Sequence, residues 1–198
     1  MRNFVRCAAL AAVMMPMLAS AQDLETALEA FDAGDHEKAL QELRPLAEQG
    51  NAEAQSRLGL MYLYSFALDR DVTEALRWSR KAADQGDAIG KGSLGLLYYH
   101  GYAGLEQDYA EALRWFLKAA EGGHVTSQVS LGNMHRDGIG VAQDYVTAHM
   151  WYNIATAAGS VGARENRDEI ASRMTADAIA EAQRRARVCM ESGYQNCE

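Results

Sequence analysis

The residues of this chain that could do chemistry are five histidines, three cysteines and one glycine-flanked lysine. His36, His100, His124, His135 and His149 fall in no H-x-x-x-H, H-x-H or H-E-x-x-H arrangement, so no zinc pair can be read locally. Gly90-Lys91-Gly92-Ser93 hints at a phosphate loop. Gln85 stands where that loop needs its earlier glycine, however, and Gly92 follows the lysine. No G-x-S-x-G elbow occurs, and no nucleophile with an adjacent base is legible. The expectation is a non-enzymatic chain with no catalytic residue, no cofactor and no metal ligand set.

The cysteines are read through the N-terminus. Arg2 and Arg6 supply a positive start, Cys7 to Leu18 form a short apolar run, and Ala19-Ser20-Ala21 offers the small residues of a cleavage site. Residues 1–21 therefore read as a cleaved export signal. The apolar run falls short of the roughly 20 residues that cross a bilayer. Cys7 would leave with the signal, and no cysteine follows the cleavage point to take a lipid anchor. Cys189 and Cys197 would remain, and two cysteines allow one pairing. In an oxidising periplasmic or secreted setting they are expected to close a small loop around Ser192-Gly193-Tyr194.

Charge narrows the partners. The chain has 19 basic and 27 acidic residues, and loss of Arg2 and Arg6 would bring the net charge to about −10. Nucleic acid and anionic membrane both call for a basic face, so neither is an expected partner. Arg184, Arg185 and Arg187 read as a solvated helix face, and no later stretch is apolar enough to span a membrane.

The elements that position these residues repeat. Leu58-Gly59, Leu94-Gly95 and Leu131-Gly132 step by 36 and 37 residues, and Trp78, Trp115 and Trp151 step by 37 and 36. Ala75, Ala112 and Ala148 keep the same phase, as do Gly86, Gly123 and Gly159. Such a period marks stacked helix pairs. Mid-helix Gly59, Gly95 and Gly132 each cost about 1 kcal/mol against alanine, which close approach of a neighbouring helix would offset. Asp71 with Glu74, and Asp108 with Glu111, form capping boxes; Gly86, Gly123 and Gly159 end the second helices. The tryptophan row reads as core, with Trp115→Ala costing about 3–5 kcal/mol. His135 stands at the phase of Tyr62 and Tyr98 and reads as near-core; His149 also reads as structural. The first repeat has Ser65 and Ala67 where the third has Gly138 and Gly140, so its turn is expected to differ. Phe66 at its tip reads as either a partner anchor or a side chain folded back on Leu68. Pro45 is expected to kink the second helix of the leading pair.

The pattern A-x-A-x-x-x-L-G-x-x-Y … G-x-G … D-Y-x-x-A-x-x-W-x-x-K-A-A-x-x-G, carried strongly by residues 52–160, resembles the Sel-one-like repeat, a longer relative of the tetratricopeptide repeat. The resemblance implies an all-α, right-handed α/α solenoid of helix-turn-helix repeats with capping helices. Residues 22–51 would be a degenerate first pair, 52–87, 88–124 and 125–160 three repeats, and 161–198 capping helices carrying the disulfide. In the last segment Ile170, Met174, Ala178, Ile179 and Ala182 form an apolar seam facing the third repeat. The resemblance also implies a concave surface built by the first helices, binding a protein or peptide of the cell envelope. The positions facing it are Leu60, Tyr64, Leu96, Tyr99, His100, Asn133, Arg136 and Asp137. An alternative implied by some relatives is recognition of peptidoglycan fragments or β-lactams; the mature chain has no S-x-x-K to support serine chemistry of that kind.

Overall fold

Helices begin here wherever a short polar side chain can take up free backbone N–H groups. The structure, a computed structural model, describes residues 23–197, and over these the regular elements are helices. Residues 23–32 form α1. There follow α2 (His36–Glu48), α3 (Ala52–Tyr64), α4 (Val72–Asp84), α5 (Ala88–His100), α6 (Tyr109–Glu121), α7 (Val125–Asp137), α8 (Tyr145–Ala157), α9 (Val161–Ala171) and α10 (Ala176–Glu191). The expected export signal lies outside the described residues. Asp35, Asn51, Asp71, Asp87, Asp108, Asp144, Ser160 and Thr175 each accept a bond from a first-turn N–H. Gly86, Gly123 and Gly159 follow α4, α6 and α8 at φ +94°, +79° and +95°. The helix α2 runs on through Pro45 to Glu48.

Two local expectations need correction. In a capping box the glutamate reaches back to the N-cap N–H. Here the N–H groups of Asp71, Asp108 and Asp144 donate instead to the carbonyls of Tyr62, Tyr98 and His135, at 3.2, 3.0 and 2.9 Å. Each tie joins a second helix to the first helix of its own pair. The freed carboxylate of Glu74 accepts from Arg77 and from the Trp78 indole. The first turn, too, keeps its backbone shape without glycines: Ser65 and Ala67 sit at φ +62° and +55°, close to the +70° of Gly138 and Gly140. Left-handed backbone costs a residue with a side chain roughly 1–2 kcal/mol. Phe66, between them, turns onto the leading helix pair, stacked on His36 at 4.4 Å and edge-on to Phe31 at 6.1 Å.

Each pair closes over its mid-helix glycine. A Cβ at Gly59 would meet Ser79 Oγ at 3.0 Å, one at Gly95 would lie 2.5 Å from the Phe116 ring, and one at Gly132 would overlap the Tyr152 ring. Ser79, Phe116 and Tyr152 each follow a repeat tryptophan by one position. The glycines thus admit the residue beside the tryptophan, not the indole. Trp78 and Trp151 are buried at 4% and 2% exposure. Trp115 departs from the expectation: it is only half-buried, with Lys118 Nζ 4.5 Å from its ring centroid, while Phe116 fills the core at 2% exposure.

Contacts run between neighbours in the chain, as in a stacked array. The first helices also touch along the row, α3 with α5 and α5 with α7, which puts them on the tighter, inner side. The C-terminal helices differ from a further hairpin, since both α9 and α10 lean on α8. Ile170 and Met174 pack with Ala148, Tyr152 and Ala155. The seam then shifts: Ala186 and Cys189 of α10 join Phe116 and Trp151 in a separate cluster. Cys189 and Cys197 are bonded there (S–S 1.93 Å), and Tyr194 reaches Gly123 beyond α6.

Two expected outcomes follow from this packing. Phe116→Ala lowers stability by about 3–5 kcal/mol, and Trp115→Ala by clearly less, as read by urea denaturation. Cys197→Ser removes a short closed loop worth roughly 2–3 kcal/mol in the chain-entropy model, and its midpoint falls by a corresponding amount.

Candidate functional site

Two adjoining hollows lie along the inner row of helices. The larger, about 310 Å³, is walled by Leu63, Tyr64 and Ser65 at the end of α3, Leu96 and His100 of α5, and Arg70 and Tyr102 from the loops. The smaller, about 180 Å³, is walled by Leu96, Tyr99 and His100 of α5, Phe116 of α6, and Ser130, Asn133 and Met134 of α7. Leu96 and His100 belong to both, so the hollows form one groove crossing α5. Its floor is apolar and its rim aromatic. Tyr99 sits edge-on between His100 at 5.0 Å and Tyr109 at 5.1 Å, and His100 stacks on Tyr102 at 5.0 Å. Burial raises the hydroxyl pKa of Tyr64 and of Tyr99, the latter with help from Tyr109 and Asp137, so both phenols stay neutral donors.

The positions singled out in the sequence divide. Tyr64, Leu96, Tyr99, His100 and Asn133 line the groove, and Tyr64 is 50% exposed. Leu60 is half-buried outside both hollows. Arg136 and Asp137 hold each other through two bonds of 2.7 and 2.8 Å, and this pairing lowers the Asp137 pKa. Asn133 accepts the Tyr152 hydroxyl at 2.7 Å, whose own pKa burial pushes up to about 12. Sequence reasoning missed Arg70 and Tyr102. Both sit in loops of unequal length, where the resemblance that placed the helix positions gives no guide.

A family model described as the Sel1 repeat matches residues 52–87, 93–124 and 125–160. Among solved structures, the chain is similar to c5321, described as a protective antigen present in uropathogenic Escherichia coli strains displaying an SLR fold. The identity is 34% and the TM-score 0.65, over 78% of this chain and 34% of that one. It is also similar to a Sel1 repeat protein from Oxalobacter formigenes, at 30% identity and TM-score 0.64, over 75% of this chain and 59% of that one. The chain therefore spans about a third and about three-fifths of those two relatives. A comparison with curated proteins finds no match.

Among the described residues no group of three or more histidine, cysteine or acidic side chains converges as metal ligands do. One contact has the spacing of a nucleophile and its base: Ser127 Oγ lies 2.8 Å from His124 Nδ1. Ser127 is 1% exposed beneath Gly92, however, and no substrate could reach it there. His124 occupies the N-cap position of α7, filled by Asn51, Asp87 and Ser160 in the equivalent helices, and makes no capping bond. Burial holds its pKa below the ordinary 6.5, with Asp87 opposing and Arg57 assisting; burial likewise lowers His135 and His149. Below about pH 6.5 the unfolded chain takes up protons that these folded imidazoles refuse, so stability falls with acidification. The melting temperature is expected to drop from about pH 7.5 to about pH 5.5, with a shallower slope in His124→Asn, as measured by circular dichroism.

Proposed function

The chain belongs to the Sel1 repeat family, and from that premise we propose that it is an exported, non-catalytic adaptor or regulator that binds an envelope protein along its inner groove. Sel1 repeats build helical arrays for protein interaction, and this array is of that kind. The observation that carries the reading is the groove itself. An apolar floor continues across three consecutive first helices beneath a rim of Tyr64, Tyr99, His100 and Tyr102, the large amphipathic side chains favoured at binding hot spots.

Two features support the site of action. The first 21 residues carry the pattern of a cleaved signal, and Cys189 and Cys197 are bonded, a state that persists in oxidising compartments. Among the described residues no helix is long and apolar enough to cross a membrane. The proposed partner is therefore met in the periplasm or outside the cell.

The test is capture from an envelope fraction on immobilised wild-type protein, compared with the double variant Tyr64→Ala/His100→Ala. Both residues are exposed, so the fold is expected to persist and melting to stay unchanged. The expected result is a prey retained by wild type and lost from the variant. Nitrocefin turnover or saturable muropeptide binding by the purified protein would instead favour the wall-fragment or β-lactam alternative.

A further inference from the structure

The groove carries a cation that the fold itself leaves unmatched. Arg70 lies in the loop between α3 and α4, at the wall of the larger hollow. Its Nε donates to the Leu63 carbonyl at 3.2 Å, and its Cζ lies 4.6 Å from the centroid of the Tyr102 ring. His100 stacks on the same tyrosine at 5.0 Å and 20°. The guanidinium is thus held at Nε and laid on an aromatic plane, with its two terminal nitrogens free of any protein partner among the described residues. Asp71, its neighbour in sequence, is already spent on the N–H groups of Thr73 and Glu74. Other arginines of this acidic chain, among them Arg77, Arg114, Arg136 and Arg184, do face a carboxylate.

An oriented guanidinium with a free two-nitrogen edge matches a carboxylate in bidentate geometry. Beside it, the hollow between Leu63, Tyr64 and Leu96 is apolar. We infer that the groove takes an acidic–apolar segment of a protein partner, with an Asp or Glu side chain on Arg70 and an adjacent aliphatic or aromatic side chain in the larger hollow. This inference rests on the reading of the groove as a protein-binding site and adds the chemistry of the occupant. The larger hollow continues past Leu96 and His100 into the second one, so a segment whose carboxylate sits on Arg70 has room to extend along the groove. The carboxylate inferred is an internal one, and a chain terminus is one of the outcomes of the test. A lone cation excludes a polyanion as the matched ligand, since such surfaces need many.

The test is selection of a random 12-residue phage library on the purified protein. The peptides are fused to the coat protein at their C-terminus and so carry no free terminal carboxylate. Expected is a consensus with Asp or Glu next to Leu, Ile, Phe or Tyr. An amidated synthetic peptide of that consensus should bind, in fluorescence anisotropy, about tenfold or more weakly to Arg70→Gln. Arg70→Lys should fall between, because it keeps charge and loses the planar fork. Added salt should weaken wild-type binding more than Arg70→Gln binding. The absence of any consensus, a consensus without an acid, binding indifferent to Arg70→Gln, or binding only by peptides with a free C-terminus would each overturn the inference. The Tyr64→Ala/His100→Ala variant separates the two levels. If it abolishes binding while Arg70→Gln does not, the groove stands and its acidic occupant falls. If neither variant matters, both fall.

Discussion

The distance between the two helices of a repeat is set where a glycine meets the residue after a tryptophan. At Gly95 and Gly132 an aromatic ring occupies the space where a Cβ would be, so the hairpin can close only because that atom is missing. The partner aromatic, Phe116 or Tyr152, then becomes the most deeply buried ring of its repeat. In the first repeat the same place holds Ser79, whose hydroxyl would lie 3.0 Å from a Cβ at Gly59, a looser fit than at the two rings. Close-packed interiors tolerate little change at such a point. The N-cap ties from Asp71, Asp108 and Asp144 to the preceding helices then fix the position of each hairpin along its own axis.

From that spacing the inner face follows. The hairpins stack with their first helices in contact, α3 with α5 and α5 with α7, and the channel between these helices is what the stacking leaves. The groove is thus a by-product of core packing: buried Leu63, Phe116 and Met134 form part of its walls, and the exposed Tyr64 and His100 form its rim. Tyr64 and His100 stand exposed at the C-terminal ends of α3 and α5, while Tyr99 packs edge-on against Tyr109 of α6. The polar end near Asn133, Arg136 and Asp137 is already satisfied internally, through Tyr152, Asn166 and the Arg136–Asp137 pair. The side chains left without an internal partner therefore gather toward the α3–α5 end, where the proposed binding surface lies.

Much of this was legible in the sequence, for a physical reason. Helix pairs, caps and stops depend on local residue types, and their repetition at 36 or 37 residues makes each copy a check on the others. The groove residues Tyr64, Leu96, Tyr99 and His100 are reached through the resemblance to tetratricopeptide units, which implies the face each first helix turns inward. The same step places Leu60 wrongly beside them. What escaped depends on contacts distant in sequence or on loop shape. Trp115 shares its phase with two tryptophans that neighbouring elements bury, Trp151 under Ala186 and Cys189 of α10, but is itself only half-buried. Ser65 and Ala67 adopt glycine-like backbone that no propensity argument predicts. The docking of α10 on α8 rests on Ala186 and Cys189, two small residues whose periodicity is too sparse to announce a partner. Arg70 and Tyr102 meet across two loops, 32 positions apart, and only the folded chain brings them together.

The bonded C-terminal loop also closes one end of the array. Cys189, Cys197 and Tyr194 pack with Phe116 of α6 and Trp151 of α8, so the loop ties the second and third repeats together. The first repeat is joined instead to the leading pair, through Phe66 with Phe31 and His36. Because each unit of such an array leans on its neighbours, reduction of the bond would loosen the last two repeats first and leave the aromatic joint at the other end untouched.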